Sequence, residues 1–314
     1  MTGKGCCTPG RPGEGGRHAT IAAPAIVAAE ADPDARPIRL EGGEFLMGSQ
    51  DPAAHPLDRE GPVRPVRLSP FSLDAVAISN RRFLRFVEAT GYRTEAEIFG
   101  WSFVFFGFLP KEHPPTQGVA AAPWWRQVFG AWWREPEGPG SHIGDRLDHP
   151  VTHISYADAL SFCAWAGGRL PTEAEWEFCA RGGLVQQRYP WGDELMPGGR
   201  HLCNIWQGEF PHVNTGEDGH LGTAPVDAYE PNGLGFLNMV GNAWEWCADW
   251  FDPRGHGPAS QVDPKGPPQG QARVMRGGSY LCHASYCFRY RVSARSSAPP
   301  DSGTGHIGFR MARD

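Results

Sequence analysis

Forty-one glycines and thirty prolines are spread through 314 residues, so a residue that interrupts helices and strands falls about every fourth or fifth position. Long regular elements are excluded by that spacing, and the chain must fold as short pieces joined by turns. What opposes disorder is aromatic: twelve Trp, seventeen Phe and seven Tyr are large apolar side chains that only a collapsed core can bury. The expectation is a single, irregular, loop-rich α+β domain. Twenty-nine basic against thirty-five acidic residues leave a net charge of −6, without the positive field that draws nucleic acid or an anionic membrane. The longest nearly apolar stretch, around Phe103 to Leu109, is far short of the roughly 20 residues of a membrane-spanning helix. A soluble monomer with neither partner is expected.

Residues 1 to about 36 are rich in Gly, Pro, Ala and Arg without apolar periodicity and read as a flexible tail, leaving 37–314 as the folded domain. The apolar run Ala19 to Ala29 follows a Gly/Arg-rich lead, contains Pro24 and runs into Glu30, a poor signal-peptide pattern. Short strands are expected at 38–40, 44–47 and 63–68. Ser79 with Gly91 frames one helix, Ser155 with Asp158 makes a capping box for a second, and Thr172 with Glu175 makes one for a third. Between 99 and 148 lie Trp101, Phe103, Phe105, Phe106, Trp124, Trp125, Trp132 and Trp133 among prolines and glycines, which read as a satellite core under long loops in preference to a binding surface.

Eight cysteines at 6, 7, 163, 179, 203, 247, 282 and 287 form no CxxC pair and no regular disulfide framework, which fits thiols in a reducing cytoplasm. Cys282 and Cys287 stand five positions apart; a straight strand would separate them by about 16 Å. If the chain turns at 283–285, two soft thiolates could hold a soft ion, for which Cu(I) is the natural candidate. The alternative is two buried, inert cysteines. Oxygen-rich loops at 204–210, 217–220 and 238–245 suit calcium, or are ordinary Asx and Gly turns. His149 and His153, in a strand-like context, read as structural. No G-x-S-x-G, Walker A or G-x-G-x-x-G element occurs.

The strings Gly42-Gly43-Glu44-Phe45-Leu46-Met47-Gly48, Gly168-Arg169-Leu170-Pro171-Thr172-Glu173-Ala174-Glu175-Trp176-Glu177, Gly241-Asn242-Ala243-Trp244-Glu245-Trp246, Arg276-Gly277-Gly278-Ser279 and Cys282-His283-x-Ser285-Tyr286-Cys287 together resemble the formylglycine-generating enzymes, or sulfatase-modifying factors. The likeness runs from about residue 38 to 312. It implies an irregular fold related to C-type lectins. The implied reaction is oxidation by O2, with a reductant, of a cysteine in a Cys-x-Pro-x-Arg segment of a sulfatase to Cα-formylglycine. By the same resemblance Cys282 and Cys287 bind Cu(I), while Ser279, Trp244 and Tyr286 line the reaction pocket. Calcium ligands implied are the Asn204 and Asp218 side chains with the Ile205 and His220 carbonyls, then Asn238 and Glu245 with the Gly241 and Ala243 carbonyls.

Val292 and Met311 stand where animal relatives carry disulfide cysteines, leaving Cys163 without that partner, and Cys179 is displaced by one position from theirs. His306 replaces an Asn common near the substrate groove. Two other functions compete. A non-catalytic, calcium-binding lectin-like module would not need the two thiols, and a non-haem iron sulfoxide synthase would need His-x3-His-x-Glu, where this chain has Ser155. Finally, Cys7-Thr8-Pro9-Gly10-Arg11 reproduces the Cys-x-Pro-x-Arg pattern inside the tail, as an autoinhibitor or self-substrate would.

Overall fold

The computed structural model describes residues 9–10, 34–255 and 261–314; most of the expected tail, Cys7 and Arg11 included, lies outside the described residues. Four α-helices are described: α1 (Asn80–Thr90), α2 (Glu95–Phe99), α3 (Tyr156–Trp165) and α4 (Glu173–Arg181). The three expected ones start where their caps predict. Ser79, Ser155 and Thr172 each accept the N–H three residues on, with the full reciprocal box at α3 and α4. Helix α2 was not expected, although Thr94 and Glu97 form the same box; five residues are too short to show a helical period.

The strands are brief. A four-stranded sheet runs in the order Arg295–Ala298, Arg273–Arg276, Trp244–Trp250, Ile307–Phe309, with only the last pairing parallel. A second sheet centres Phe71–Asp74 between Pro37–Leu40 and Ala312–Arg313, tying the two ends of the domain together. Gly43–Met47 and Arg64–Leu68 form a hairpin, in line with the strands expected there. The aromatic stretch folds as Trp101–Phe105, Ala122–Phe129 and Gly118–Val119 over its own cluster, in which Phe103, Phe105, Trp125, Trp206, Tyr280 and Leu281 are buried together. It is a satellite core, but Trp132 and Trp133 join the main one. Around His149 and His153 the strand-like reading fails. His153 sits at φ 61°, which no strand allows, with its Nδ1 2.8 Å from the Ser102 hydroxyl. Among the described residues no helix is long and apolar enough to cross a membrane.

Helix α4 is buried along nearly its whole length, including Glu173, Glu175 and Glu177. Burying carboxylates requires partners, and the fold supplies arginines. Arg276 donates to Glu173 (3.0 Å) and Glu177 (2.6 Å) and also to the carbonyls of Val292 and Ser293. Arg295 forks onto Glu173. Arg181 holds Glu177, which in turn accepts the Gly48 N–H at 2.7 Å. Three of the strings that carry the family resemblance thus meet in one buried ionic knot.

Arg276→Met leaves that knot with two buried carboxylates short of a cation, and breaking such a pair costs about 3–5 kcal/mol. Urea denaturation at pH 7 should show a loss of this size; a loss below about 1 kcal/mol would show that the knot is not what holds α4 to the sheet.

Candidate metal and catalytic site

Strand Arg273–Arg276 delivers the chain into Gly277 and Gly278, both at positive φ. A Cβ at Gly278 would stand 2.8 Å from the Arg289 carbonyl oxygen, so only glycine lets the two limbs of the loop approach. The limbs carry the thiols. The turn falls at 284–286, where the Cys287 N–H donates to the His283 carbonyl at 2.8 Å, and it brings Cys282 Sγ to 3.2 Å from Cys287 Sγ. Each residue is 1% exposed. This is too long for a disulfide, whose sulfurs lie about 2.05 Å apart, and close enough for both sulfurs to meet one ion.

The surroundings act on the pair in opposite directions. Burial pushes the Cys282 thiol well up, as does the neighbouring Cys287, whereas the Ser279 N–H and the Arg289 charge pull it down. Ser279 N donates to Cys282 Sγ at 3.3 Å, and its Oγ lies 4.0 Å from the same sulfur. Arg289 Nη1 points at Cys287 Sγ from 3.8 Å. A buried fork from Arg289 to Asp58, at 2.5 and 2.9 Å, fixes that guanidinium. Neither Arg289 nor Asp58 was singled out from sequence, for they lie 231 positions apart.

An aromatic wall stands beside the thiols. Tyr286 donates its hydroxyl to the Leu281 carbonyl, stacks on Phe210 with centroids 3.9 Å apart, and meets the edge of Trp124. Phe210 packs in turn on Trp206, whose backbone N–H donates to the Cys282 carbonyl at 3.1 Å. Trp124, Trp206 and Phe210 join the expected set by this geometry alone. Trp244 sits deeper, fully buried, its indole N–H without a hydrogen-bond partner among the described residues; its link to the thiols runs through Asn242, whose carbonyl accepts the Tyr280 N–H. His306 is 1% exposed and packed at 4.5 Å on Trp125 of the satellite core.

The expected calcium ligands divide. Asp218 bridges the N–H groups of Ile205 (3.0 Å) and His220 (3.1 Å). Asn204 Nδ2 donates to the Gly222 carbonyl, and Asn238 Nδ2 to that of Pro225, which fixes both amide orientations. The Oδ1 atoms of Asn204 and Asn238 are left buried, with no hydrogen-bond partner among the described residues. Such orphaned oxygens fit a hard cation. The loops are held close, since a Cβ at Gly241 would fall 2.4 Å from the Asn204 carbonyl oxygen. Ala243 follows, buried, one residue before the sheet strand. The Glu245 carboxylate accepts Arg310 at 2.9 and 3.1 Å and the Trp176 indole at 2.7 Å, inside the core. Among the described residues no three His, Cys, Asp or Glu side chains converge as a metal site, and the six described cysteines are free thiols.

Fold and site together define a class: a loop-rich α+β domain that presents a buried thiol pair on a glycine-framed hairpin. Residues 23–314 match the family model described as Sulfatase-modifying factor enzyme 1-like domain, and the chain belongs to that family. It is 59% identical over 281 residues to the formylglycine-generating enzyme of Thermomonospora curvata, covering 88% of this chain and 93% of that protein. It is also 44% identical over 280 residues to a Bos taurus protein named inactive Cα-formylglycine-generating enzyme 2, covering 88% and 87%. Among solved structures, PvdO from Pseudomonas aeruginosa matches with a TM-score of 0.64 at 22% identity over 88% of this chain and 94% of that one; this likeness concerns the fold alone.

Gly278→Ala should destabilise the protein by about 2 kcal/mol or more, from a strained left-handed backbone and the clash with the Arg289 carbonyl. Chemical denaturation measures it, and a change within about 0.5 kcal/mol would mean that the hairpin relaxes freely.

Proposed function

We propose that the chain is an active formylglycine-generating oxidase: with Cu(I), O2 and a reductant, it converts the cysteine of a Cys-x-Pro-x-Arg segment in a sulfatase or other protein substrate to Cα-formylglycine. Because the family includes a relative named as inactive, membership alone does not carry this reading. The carrying observation is the 3.2 Å thiol pair. Two soft sulfurs suit low-coordinate Cu(I), and the pair is dry, with the Arg289 charge and the Ser279 N–H beside it to offset a dithiolate. Copper, when bound, supplies the O2-dependent redox chemistry.

The chain's own residues do the rest. Cys282 and Cys287 hold the ion, the Ser279 amide fixes the Cys282 sulfur, and the Asp58–Arg289 pair fixes the charge next to Cys287. Tyr286, Phe210 and Trp124 form an apolar wall that shields the sulfurs from water and offers a peptide a flat surface. Calcium, in this reading, is structural, held by the Asn204 and Asp218 side chains with the Ile205 and His220 carbonyls; Asn238, Gly241 and Ala243 offer a second set of oxygens. Free thiols throughout the described core accord with a reducing cytoplasm.

The full chain, incubated with Cu(I), air, a thiol reductant and a Cys-x-Pro-x-Arg peptide, should yield the peptide aldehyde by mass spectrometry. Cys282→Ser and Cys287→Ser should each lower turnover by at least about a hundredfold and weaken copper binding, because an alcohol is a hard, high-pKa donor. A copper-independent product, or a double variant with wild-type turnover, contradicts the proposal. Calcium at about 100 times its Kd should add about 2.7 kcal/mol and raise Tm by about 5–10 °C. Asp218→Ala should abolish that rise; a wild-type Tm indifferent to calcium and chelator removes the ion from the account.

A further inference from the structure

The buried ionic knot has an open side that the proposed function does not use. A cavity of about 300 Å3 lies against it, with Asp51, Arg181, Gln187, Arg188, Asp193 and Ser293 in its lining. Arg181 is 4% and Ser293 5% exposed, so the cavity reaches down to the charges of the core. Arg181 donates Nε and Nη2 to Glu177, and Nη2 also to the Gly48 carbonyl at 2.8 Å, while its Nη1 makes no hydrogen bond among the described residues. The half-exposed Arg188 donates Nε to Asp51 at 2.8 Å and its backbone N–H to Asp193 at 2.9 Å, with the Tyr189 phenol also beside its charge. A guanidinium has five N–H donors, more than these partners take. The two carboxylates of the lining are already engaged, Asp51 by Arg188 and the Ala53 N–H at 2.9 Å, and Asp193 by the Arg188 N–H. What the cavity has to offer a ligand is therefore donors.

Charge points the same way. Among the described residues the knot sets the cations Arg64, Arg181, Arg276 and Arg295 against the carboxylates Glu173, Glu177 and Asp249, an excess of positive charge that a bound anion would offset. The donors are also held in place. Gln186 stands at φ 53°, and its Nε2 ties the loop to the Leu46 and Gly48 carbonyls at 2.8 and 3.2 Å. One carbonyl, that of Gly48, thus fixes both the loop that carries Arg188 and the guanidinium of Arg181. We propose that this cavity binds an oxyanion, a carboxylate or a tetrahedral group such as sulfate or phosphate, on the free N–H groups of Arg181 and Arg188, whose planar forks match such oxygens. A volume of about 300 Å3 exceeds what one such group fills and leaves room for the rest of a small organic anion. The site adjoins the outgoing limb of the thiol hairpin, for the Arg188 carbonyl accepts the Val292 N–H at 3.0 Å.

Equilibrium dialysis of the full-length protein against radiolabelled sulfate, at constant ionic strength, tests this without copper or turnover. The wild type should show one saturable site with a Kd on the order of millimolar. Arg188→Gln removes a charged donor and should weaken it about tenfold or more. Gln187, whose side chain makes no hydrogen bond among the described residues, allows the charge of the cavity to be changed in both directions without breaking a contact of the core: Gln187→Glu should weaken sulfate binding and Gln187→Lys should tighten it, each by about 3-fold or more. Acetate competing as well as unlabelled sulfate would assign the site to carboxylates, and sulfate competing alone would assign it to tetrahedral oxyanions; both support the proposal. No saturable binding below about 50 mM sulfate, or a Kd that neither Gln187 variant moves, overturns it.

Discussion

Arg276, buried between Glu173 and Glu177, is the contact on which the remaining structure depends. Short strands and loops cannot specify their own arrangement, because each contributes few apolar contacts and few ladder hydrogen bonds. A guanidinium with two carboxylates and two carbonyls to satisfy admits few arrangements of its neighbours, and a mismatch leaves charge buried unpaired. The knot thereby fixes the end of the strand from which the thiol hairpin begins. Arg291 on Glu60 and Arg310 on Glu245 repeat the device at other edges of the core.

The same logic explains what could be read from the sequence. N-caps are local, so the starts of α1, α3 and α4 were legible, and a bend between Cys282 and Cys287 was legible as the condition for the two thiols to cooperate. Glycine pairs at positive φ carry a local steric signature as well. What stayed hidden was long-range. That Asp58 orients Arg289 beside Cys287, or that Phe210 stacks on Tyr286, depends on which loops meet, and no local pattern encodes it. The pairing of Glu245 with Arg310, 65 positions away, was hidden for the same reason. The strand-like appearance of 149–155 gave way for a related reason: His153 is turned inward by a contact to Ser102, 51 positions distant.

The site itself combines opposing demands. Burial disfavours thiolate, yet soft-metal binding requires it, and the structure answers with one amide N–H and one fixed guanidinium rather than with exposure. In the function proposed above, a buried pair with a guanidinium beside it would take an ion that brings positive charge with it. The aromatic wall extends this, with Tyr286 stacked on Phe210 beside the hairpin.

Whether Cys282 and Cys287 jointly hold copper is the central claim, and X-ray absorption at the copper edge tests it directly on the full-length protein loaded with one equivalent of Cu(I). The account predicts two sulfur donors in the wild type and one in either Cys282→Ser or Cys287→Ser. A spectrum dominated by nitrogen or oxygen donors, unchanged when both cysteines are replaced, would contradict it.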